Sequence, residues 1–230
     1  MNYGYGFDMG YMLIVVISMV LGVITQGYIN STYSKWSRVP VNTGETGAQV
    51  ASRMLYTEGA TDVGIKGTAG HLTDHYNPTD NNLYLSQENL AGGSVASVAV
   101  ACHEAGHALQ KACGYLPMQV RTSLVPLVNL TSSTWMLVFL AGAMLGAASL
   151  TKVAVWLFAF SVLFHLVTLP VELDASGRAV NFIDSCGLDA TASRGAREVL
   201  RAAAFTYVAA ALTSIFQFLY LQSRTRGSRR

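Results

Sequence analysis

The sequence has little charge. Only 12% of its 230 residues are Asp, Glu, Lys or Arg, whereas an average soluble domain carries about 25%. Hydrophobic residues make up 51% of the chain and the mean hydropathy is +0.35, which excludes a disordered protein. The net charge is only +2, and no basic face precedes the last few residues, so we expect no nucleic-acid partner.

Cysteine is also scarce. The chain has three cysteines, Cys102, Cys113 and Cys186, and none of them forms a CxxC pair. Their odd number and wide spacing argue against a disulfide framework and against a cysteine-based zinc site.

The few charges are unevenly placed. Lys152 is the only charged residue between Arg121 and Glu172. A bilayer core about 30 Å thick needs about 20 helical residues. Four uncharged stretches meet this requirement. The alternative is that they are buried helices of a large soluble protein, but the remaining polar sequence is too short for such a protein. The sequence therefore predicts a mainly α, multi-pass protein of the cell membrane, a single domain over 1–230 with spans at about 11–28, 125–148, 153–169 and 202–222.

The first span could instead be a cleaved signal peptide. The preceding segment contains Asp8 and has no Lys or Arg, and no cleavage motif occurs before Lys35. Because a signal peptide begins with a basic segment, we expect a retained membrane anchor.

A candidate zinc motif lies on a predicted helix over about 94–113, which Ser94 would cap. His103 and His107 are four residues apart and therefore share one face of the helix. Two imidazoles in this arrangement can bind one Zn²⁺, and Glu104 lies beside them, where it can accept a proton from a zinc-bound water. The alternative is a pair of core histidines with a surface glutamate, but an unpaired carboxylate is costly in this Ala- and Val-rich helix.

A catalytic zinc takes three protein ligands and keeps one position open. The residues alone leave the third ligand undecided among His71, His75, His165, Glu172, Asp174 and more distant acids. Glu172 is favoured because a helix from about Leu169 to Ile183, with Pro170 in its first turn, would place it on a stripe of small residues. Asp174 would point about 200° away, as a helix-start charge or as a partner of Arg178.

The remaining polar sequence predicts three further elements. A helix covers Thr46 to Glu58 with Thr43 as its N-cap, and a short strand covers Val63 to Lys66. A second strand, Asn82 to Ser86, is expected to be the sheet edge that faces the metal and binds substrate by strand addition. The alternative for this strand is an internal position in a small sheet.

Three motifs carry a family resemblance. HEAGH at 103–107 is preceded by GHLTDHYNP at 70–78 and followed by LPVELDASGRA at 169–179. With the hydrophobic start, the two-span insert and TYVAAAL at 206–212, nearly the whole chain resembles the YugP-like neutral zinc metallopeptidases of bacterial membranes, the zinc peptidase 2 family. More distantly it is similar to HtpX-type and CAAX-prenyl membrane proteases.

The distant relatives place their third ligand in a Glu-x-x-Ala-Asp motif. Here Glu172 and Ala175 match it, but Ser176 stands at the aspartate position. The resemblance thus implies Glu172 as a ligand and leaves the neighbouring carboxylate without a clear counterpart, although Asp174 could replace it.

Together these features predict a zincin-like membrane metalloprotease unit with a small β-element and one Zn²⁺ per chain. His103, His107 and Glu172 would hold the metal, and Glu104 would act as general base on peptide or membrane-protein substrates. A second electrophile is expected among His71, His75, Tyr76 and Arg178. Alternatives are an inactive zinc-binding scaffold or chaperone-like protein, and a transporter with His165 and Glu172 as a proton path.

Four spans would place both termini on one side of the membrane and the zinc site on the other. Eight basic residues flank the spans on the site side: Lys35, Arg38, Lys111, Arg121, Arg178, Arg194, Arg197 and Arg201. Five lie on the other side: Lys152, Arg224, Arg226, Arg229 and Arg230. The positive-inside rule then predicts a cytoplasmic site, although the Arg-rich tail favours the opposite orientation. The sequence specifies neither the substrate nor the oligomeric state.

Overall fold

Helices dominate the computed structural model, which describes residues 9–227 and no side chain beyond Thr225. Asp8, Arg229 and Arg230, which entered the expectations above, lie outside these residues. The helices are α1 (Met9–Trp36), α2 (Gly47–Thr57), α3 (Gln87–Leu90), α4 (Val95–Ala112), α5 (Leu116–Met144), α6 (Ala148–Ser185) and α7 (Ala190–Gly227). The strands are β1 (Gly64–Thr68), β2 (His75–Asn77) and β3 (Asn82–Ser86).

Four of the described helices, α1, α5, α6 and α7, are long and apolar enough to cross a membrane. Large apolar side chains on α1, such as Leu13, Met19 and Ile24, are exposed, as expected of a helix that faces lipid. These features confirm a mainly helical, multi-pass architecture with a small β-element. The predicted span boundaries stay predictions, and the second of them runs past the end of α5 at Met144.

The chain divides into two compact units. Among the described residues, the first comprises 9–24, 120–169 and 206–227. Its core contains Trp135 and Phe158, whose rings lie 4.8 Å apart, with Val155, Val162 and Leu221. A Cβ at Gly142 would lie 2.8 Å from the main-chain nitrogen of Thr151, so glycine there allows α5 and α6 to pack closely. The expectation of a single domain stays a prediction.

The second unit, residues 25–119 and 170–205, contains the sheet and α4. Helix α4 contacts α2, α3, β2 and β3, and most of its residues are buried. Ser94 caps it by accepting a hydrogen bond from the N–H of Ser97, as predicted. This burial holds the zinc motif in the core of the unit.

The sheet corrects one prediction. Its order is β1-β3-β2, with β3 parallel to β1 and antiparallel to β2. Strand β3 is therefore central, and the expectation that Asn82 to Ser86 forms the edge facing the metal is wrong. Leu83 and Leu85 of β3 are fully buried, as suits a strand paired on both sides. The two edges of the sheet belong to β1 and β2, and β2 lies in a turn-rich segment without a strand signal.

Two further local predictions were wrong. Helix α2 is capped by Thr46 and not by Thr43: the hydroxyl of Thr46 accepts from the N–H of Gln49, whose side chain accepts from the N–H of Thr46. This reciprocal capping box satisfies two main-chain donors at once. Strand β1 continues to Thr68, because β3 supplies partners two residues beyond Lys66.

Helix α6 is continuous through Pro170, whereas the sequence suggested a new helix starting near Leu169. Proline removes one main-chain hydrogen bond, and long membrane helices tolerate this loss. Val171, Ala175, Ala179 and Ile183, which follow the proline, are fully buried in the second unit. The register predicted for Glu172 is therefore kept although the helix start is not.

Candidate metal centre

Helices α4 and α6 bring three metal-binding side chains together. His103 and His107 lie one turn apart on α4, with ring centroids 4.7 Å apart. Glu172 of α6 places its Oε2 atom 3.2 Å from Nε2 of His103 and 3.5 Å from Nε2 of His107. One potential ligand atom from each of the three residues lies within 4.8 Å of the others. The structure thus groups the three residues that the sequence favoured as ligands.

Small residues make this grouping possible. A Cβ added to Gly106 would lie only 2.6 Å from the main-chain oxygen of Ala175. The glycine between Glu104 and His107 therefore lets the backbones of α4 and α6 touch. Because the helices are so close, Glu172 can reach both histidines while its side chain is only 2% exposed.

The spacing fits a zinc ion. Zinc–nitrogen and zinc–oxygen bonds of about 2.0–2.1 Å in a tetrahedron place neighbouring ligand atoms about 3.3 Å apart. The two distances from Glu172 to the histidine nitrogens, 3.2 and 3.5 Å, bracket this value. The donor set of two imidazoles and one carboxylate also matches that of catalytic zinc sites.

Gln110 determines which nitrogen of His107 faces Glu172. Its amide group donates to the main-chain oxygen of Val171 at 2.7 Å and to Asp174 at 2.9 Å. Its Oε1 atom must then accept the proton on Nδ1 of His107, 3.0 Å away. Nε2 of His107 is left as a bare lone pair that points toward a carboxylate.

Two electron-rich atoms facing each other in a buried site need a cation between them. Burial lowers the pKa of His107, but the hydrogen bond to Glu172 and the charges of Glu104 and Glu172 outweigh it and raise the pKa. The charges of Glu104 and Glu172 thus favour a positive charge at this position. A divalent cation meets the same electrostatic demand and also satisfies the lone pairs of both histidines.

Ser176, which stands where the distant relatives have an aspartate, orients His103. Nδ1 of His103 lies 3.1 Å from the hydroxyl of Ser176. A second contact to a ligand histidine is typical of metal sites, because it fixes the ring orientation. Ser176 can make this contact as a hydroxyl, so the missing aspartate leaves no gap.

Asp174 lies in a chain of polar contacts behind His107. It accepts from Gln110 and from Nε of Arg178 at 2.7 Å. The expected Asp174–Arg178 pair is therefore present, and Asp174 reaches His107 only through Gln110. Sequence reasoning missed Gln110, although its position three residues after His107 on the same helix face was a usable signal.

Glu104 lies beside the two histidines, and its side chain is held by the sheet. Its Oε2 atom accepts the main-chain N–H of Tyr76 in β2 at 2.9 Å. The residue is only 8% exposed. The carboxylate is thus fixed next to the candidate metal ligands without being one of them.

The other candidate ligands have different partners. His71 pairs with Glu88. Nδ1 of His75 donates to the main-chain oxygen of Thr73, and the His75 ring stacks on Tyr84. His165 belongs to the first unit and contacts Phe164. None of the three belongs to the metal-binding group found among the described residues.

The candidates for a second electrophile are also engaged elsewhere. The hydroxyl of Tyr76 donates to Asn81, and burial raises the pKa of Tyr76 to about 12. Arg178 binds Asp174 and lies over the ring of Tyr115. Tyr76 contacts the site, but it does so through its main-chain N–H and not through its hydroxyl. The second electrophile therefore stays unassigned.

Two comparisons with known proteins found a match. Residues 11–226 match the model of a family described as "Putative neutral zinc metallopeptidase". The chain is 40% identical over 210 residues to the "Putative membrane protease YugP" of Bacillus subtilis (strain 168), covering 91% of this chain and 93% of that protein. No solved structure gives a significant match.

The geometry separates the roles of the two neighbouring acids on α6. We expect Glu172→Ala to lose zinc, because it removes a ligand atom. We expect Asp174→Ala to retain zinc with an affinity about 10–100-fold lower, since it acts only through Gln110. Zinc content and affinity of the purified variants would be measured by metal analysis and chelator competition, with Asp184→Ala on the same helix as the control. The reverse order of the two variants would make Asp174 the ligand.

Proposed function

The chain belongs to the family described as "Putative neutral zinc metallopeptidase", and on this premise we propose that it is a zinc-dependent endopeptidase of the membrane. One observation carries the proposal: His103, His107 and Glu172 converge, and the carboxylate of Glu104 is fixed beside them. The relative from Bacillus subtilis carries the name "Putative membrane protease YugP". The substrate class is accordingly peptides or membrane proteins.

The roles of the residues follow from their positions. His103, His107 and Glu172 would hold one Zn²⁺, which as a Lewis acid would lower the pKa of a water molecule toward about 7. Glu104 takes a proton from the attacking water and passes it to the leaving amine. The N–H of Tyr76 keeps the Glu104 carboxylate oriented for this transfer.

The competing functions explain less of the geometry. A scaffold or chaperone-like protein with a structural zinc would hold the ion with four protein ligands, whereas three converge among the residues that the structure describes. Such a protein would also not require an oriented Glu104. A transporter would require Glu172 for proton transfer, but two histidines of α4 bind it. The endopeptidase accounts for all four residues.

We place the substrate along β2. Tyr76 turns its N–H away from β3 and toward Glu104. In an antiparallel pair both main-chain groups of a residue face the same side, so the carbonyl of Tyr76 also faces outward. A substrate strand could donate an amide N–H to that carbonyl, next to the general base.

The first test concerns the general base. We expect Glu104→Gln to retain zinc and to lose at least about 100-fold in peptide hydrolysis, because an amide cannot accept a proton from water. Hydrolysis of casein or a quenched peptide would be followed beside metal analysis of the same samples. Glu58→Gln, an identical change at an exposed position, serves as the control. A Glu104→Gln protein as active as the wild type would eliminate the mechanism.

The second test addresses the strand edge. In a peptide that the protein cleaves, each main-chain amide flanking the scissile bond is replaced in turn by an ester, which removes one N–H donor. We expect one of these esters to lower kcat/KM by about 10-fold, the equivalent of one hydrogen bond of about 1–1.5 kcal/mol. An ester far from the scissile bond is the control. Equal kcat/KM throughout the series would exclude pairing with Tyr76.

We also propose that the active site lies on the cytoplasmic side of the cell membrane. The excess of Lys and Arg near the span ends on that side supports this orientation. Two of the five opposing basic residues, Arg229 and Arg230, lie outside the described part of the chain.

The third test measures this orientation. In a variant with Cys113 and Cys186 replaced by Ser, Ser52→Cys on α2 and Ser149→Cys near the start of α6 each provide one exposed thiol. We expect a membrane-impermeant maleimide added to intact cells to label the cysteine at 149 and to leave the cysteine at 52 unlabelled until the cells are lysed. Efficient labelling at 52 in intact cells would reverse the orientation.

A further inference from the structure

Three arginines form an exposed stripe on α7. Arg194, Arg197 and Arg201 are all exposed, and their spacing of three and four residues places them on one face of the helix. They border a cavity of about 600 Å³, which is also lined by Asp184, Leu188 and Ser193. This basic cleft lies in the second unit, apart from the candidate zinc ligands.

The acids next to the cleft are already paired. Asp184 binds Arg197. Glu198 binds Lys35 at 2.7 Å and the indole N–H of Trp36 at 2.8 Å. In the part of the chain that the structure describes, Arg194 and Arg201 form no hydrogen bond or ion pair. The cleft and its flank therefore hold four basic and two acidic groups, which gives a net charge of +2.

The helix that carries the arginines is packed closely against α1. The ring of Trp36 is only 4% exposed and packs on Gly195, where a Cβ would lie 2.5 Å from the ring. Since Gly195 lies between Arg194 and Arg197, this contact locks α1 against the arginine stripe. The hydrogen bonds from Trp36 and Lys35 occupy one carboxylate oxygen of Glu198, although the charge of Arg194 still acts on this acid.

The stripe lies where the membrane surface is expected. Arg201 directly precedes the uncharged segment 202–223, and the rings of Phe205 and Tyr28 meet 6.0 Å apart one turn further along. Tyrosine rings such as that of Tyr28 concentrate at the level of lipid headgroups. The headgroup layer is about 5–8 Å deep on each side, and Arg194 to Arg201 extend over about 10 Å.

We propose that this basic cleft binds the phosphate of an anionic phospholipid in the leaflet on the same side as the zinc motif. Arg201 contacts the phosphate from the side nearer the membrane core, and Arg194 contacts it from the side farther from the core. Arg197 contributes while it remains paired with Asp184. Arginine suits this role because its planar guanidinium binds phosphate oxygens in a bidentate manner. This assignment does not depend on peptidase activity.

The experiment compares lipid selectivity of the full chain. The purified protein is reconstituted into phosphatidylcholine vesicles that contain spin-labelled phosphatidylglycerol or spin-labelled phosphatidylcholine, and the motionally restricted fraction of each is measured. We expect wild type to prefer the anionic lipid, and Arg194→Ala and Arg201→Ala each to reduce the preference by about fivefold. Circular dichroism and gel filtration identify any variant that does not fold, and Arg194→Gln and Arg201→Gln then replace it.

Two controls distinguish a site from general charge. Lys66→Ala with Lys152→Ala removes two positive charges elsewhere and is expected to keep the preference, whereas a loss equal to that of the arginine variants would overturn the proposal. Unchanged selectivity in the arginine variants would overturn it as well. Inorganic phosphate at 10 mM is expected not to displace the lipid, and full displacement would point to a soluble phosphate ligand instead.

Discussion

The carboxylate of Glu172 sets the strongest constraint on this fold. A carboxylate that is 2% exposed must be paired or bound to a cation, and Glu172 contacts both His103 and His107. This requirement explains why α6 continues as a helix through Pro170 and why Gly106 faces Ala175. Removing either feature would leave a buried charge without its partners.

The sequence predicted the zinc motif better than its surroundings. A four-residue histidine spacing identifies one helix face regardless of context, and the small residues after Glu172 indicated a close helix contact. Strand β2 could not be predicted, because a three-residue strand among turn formers exists only through its pairing with β3. The same holds for Gln110, whose role depends on Asp174, 64 residues away in the chain.

Local rules failed where two of them competed. Both Thr43 and Thr46 can cap a helix, and the choice depends on Gln49, which completes a capping box only with Thr46. Pro170 can start a helix or interrupt one, and apolar residues on both sides favour an uninterrupted helix. In each case the neighbouring residues decide the outcome, so a residue taken alone misleads.

The charge balance of the candidate metal centre accounts for Ser176. Glu104 and Glu172 together carry two negative charges, which one Zn²⁺ would balance. A third carboxylate in direct contact with His103 would leave the buried group with a net negative charge, and desolvation makes such a charge costly. A serine hydroxyl orients His103 without adding charge. Asp174 is tolerated because Arg178 neutralises it and Gln110 separates it from His107. The two histidines are therefore oriented by neutral atoms, and the negative charge is confined to one metal ligand and one base.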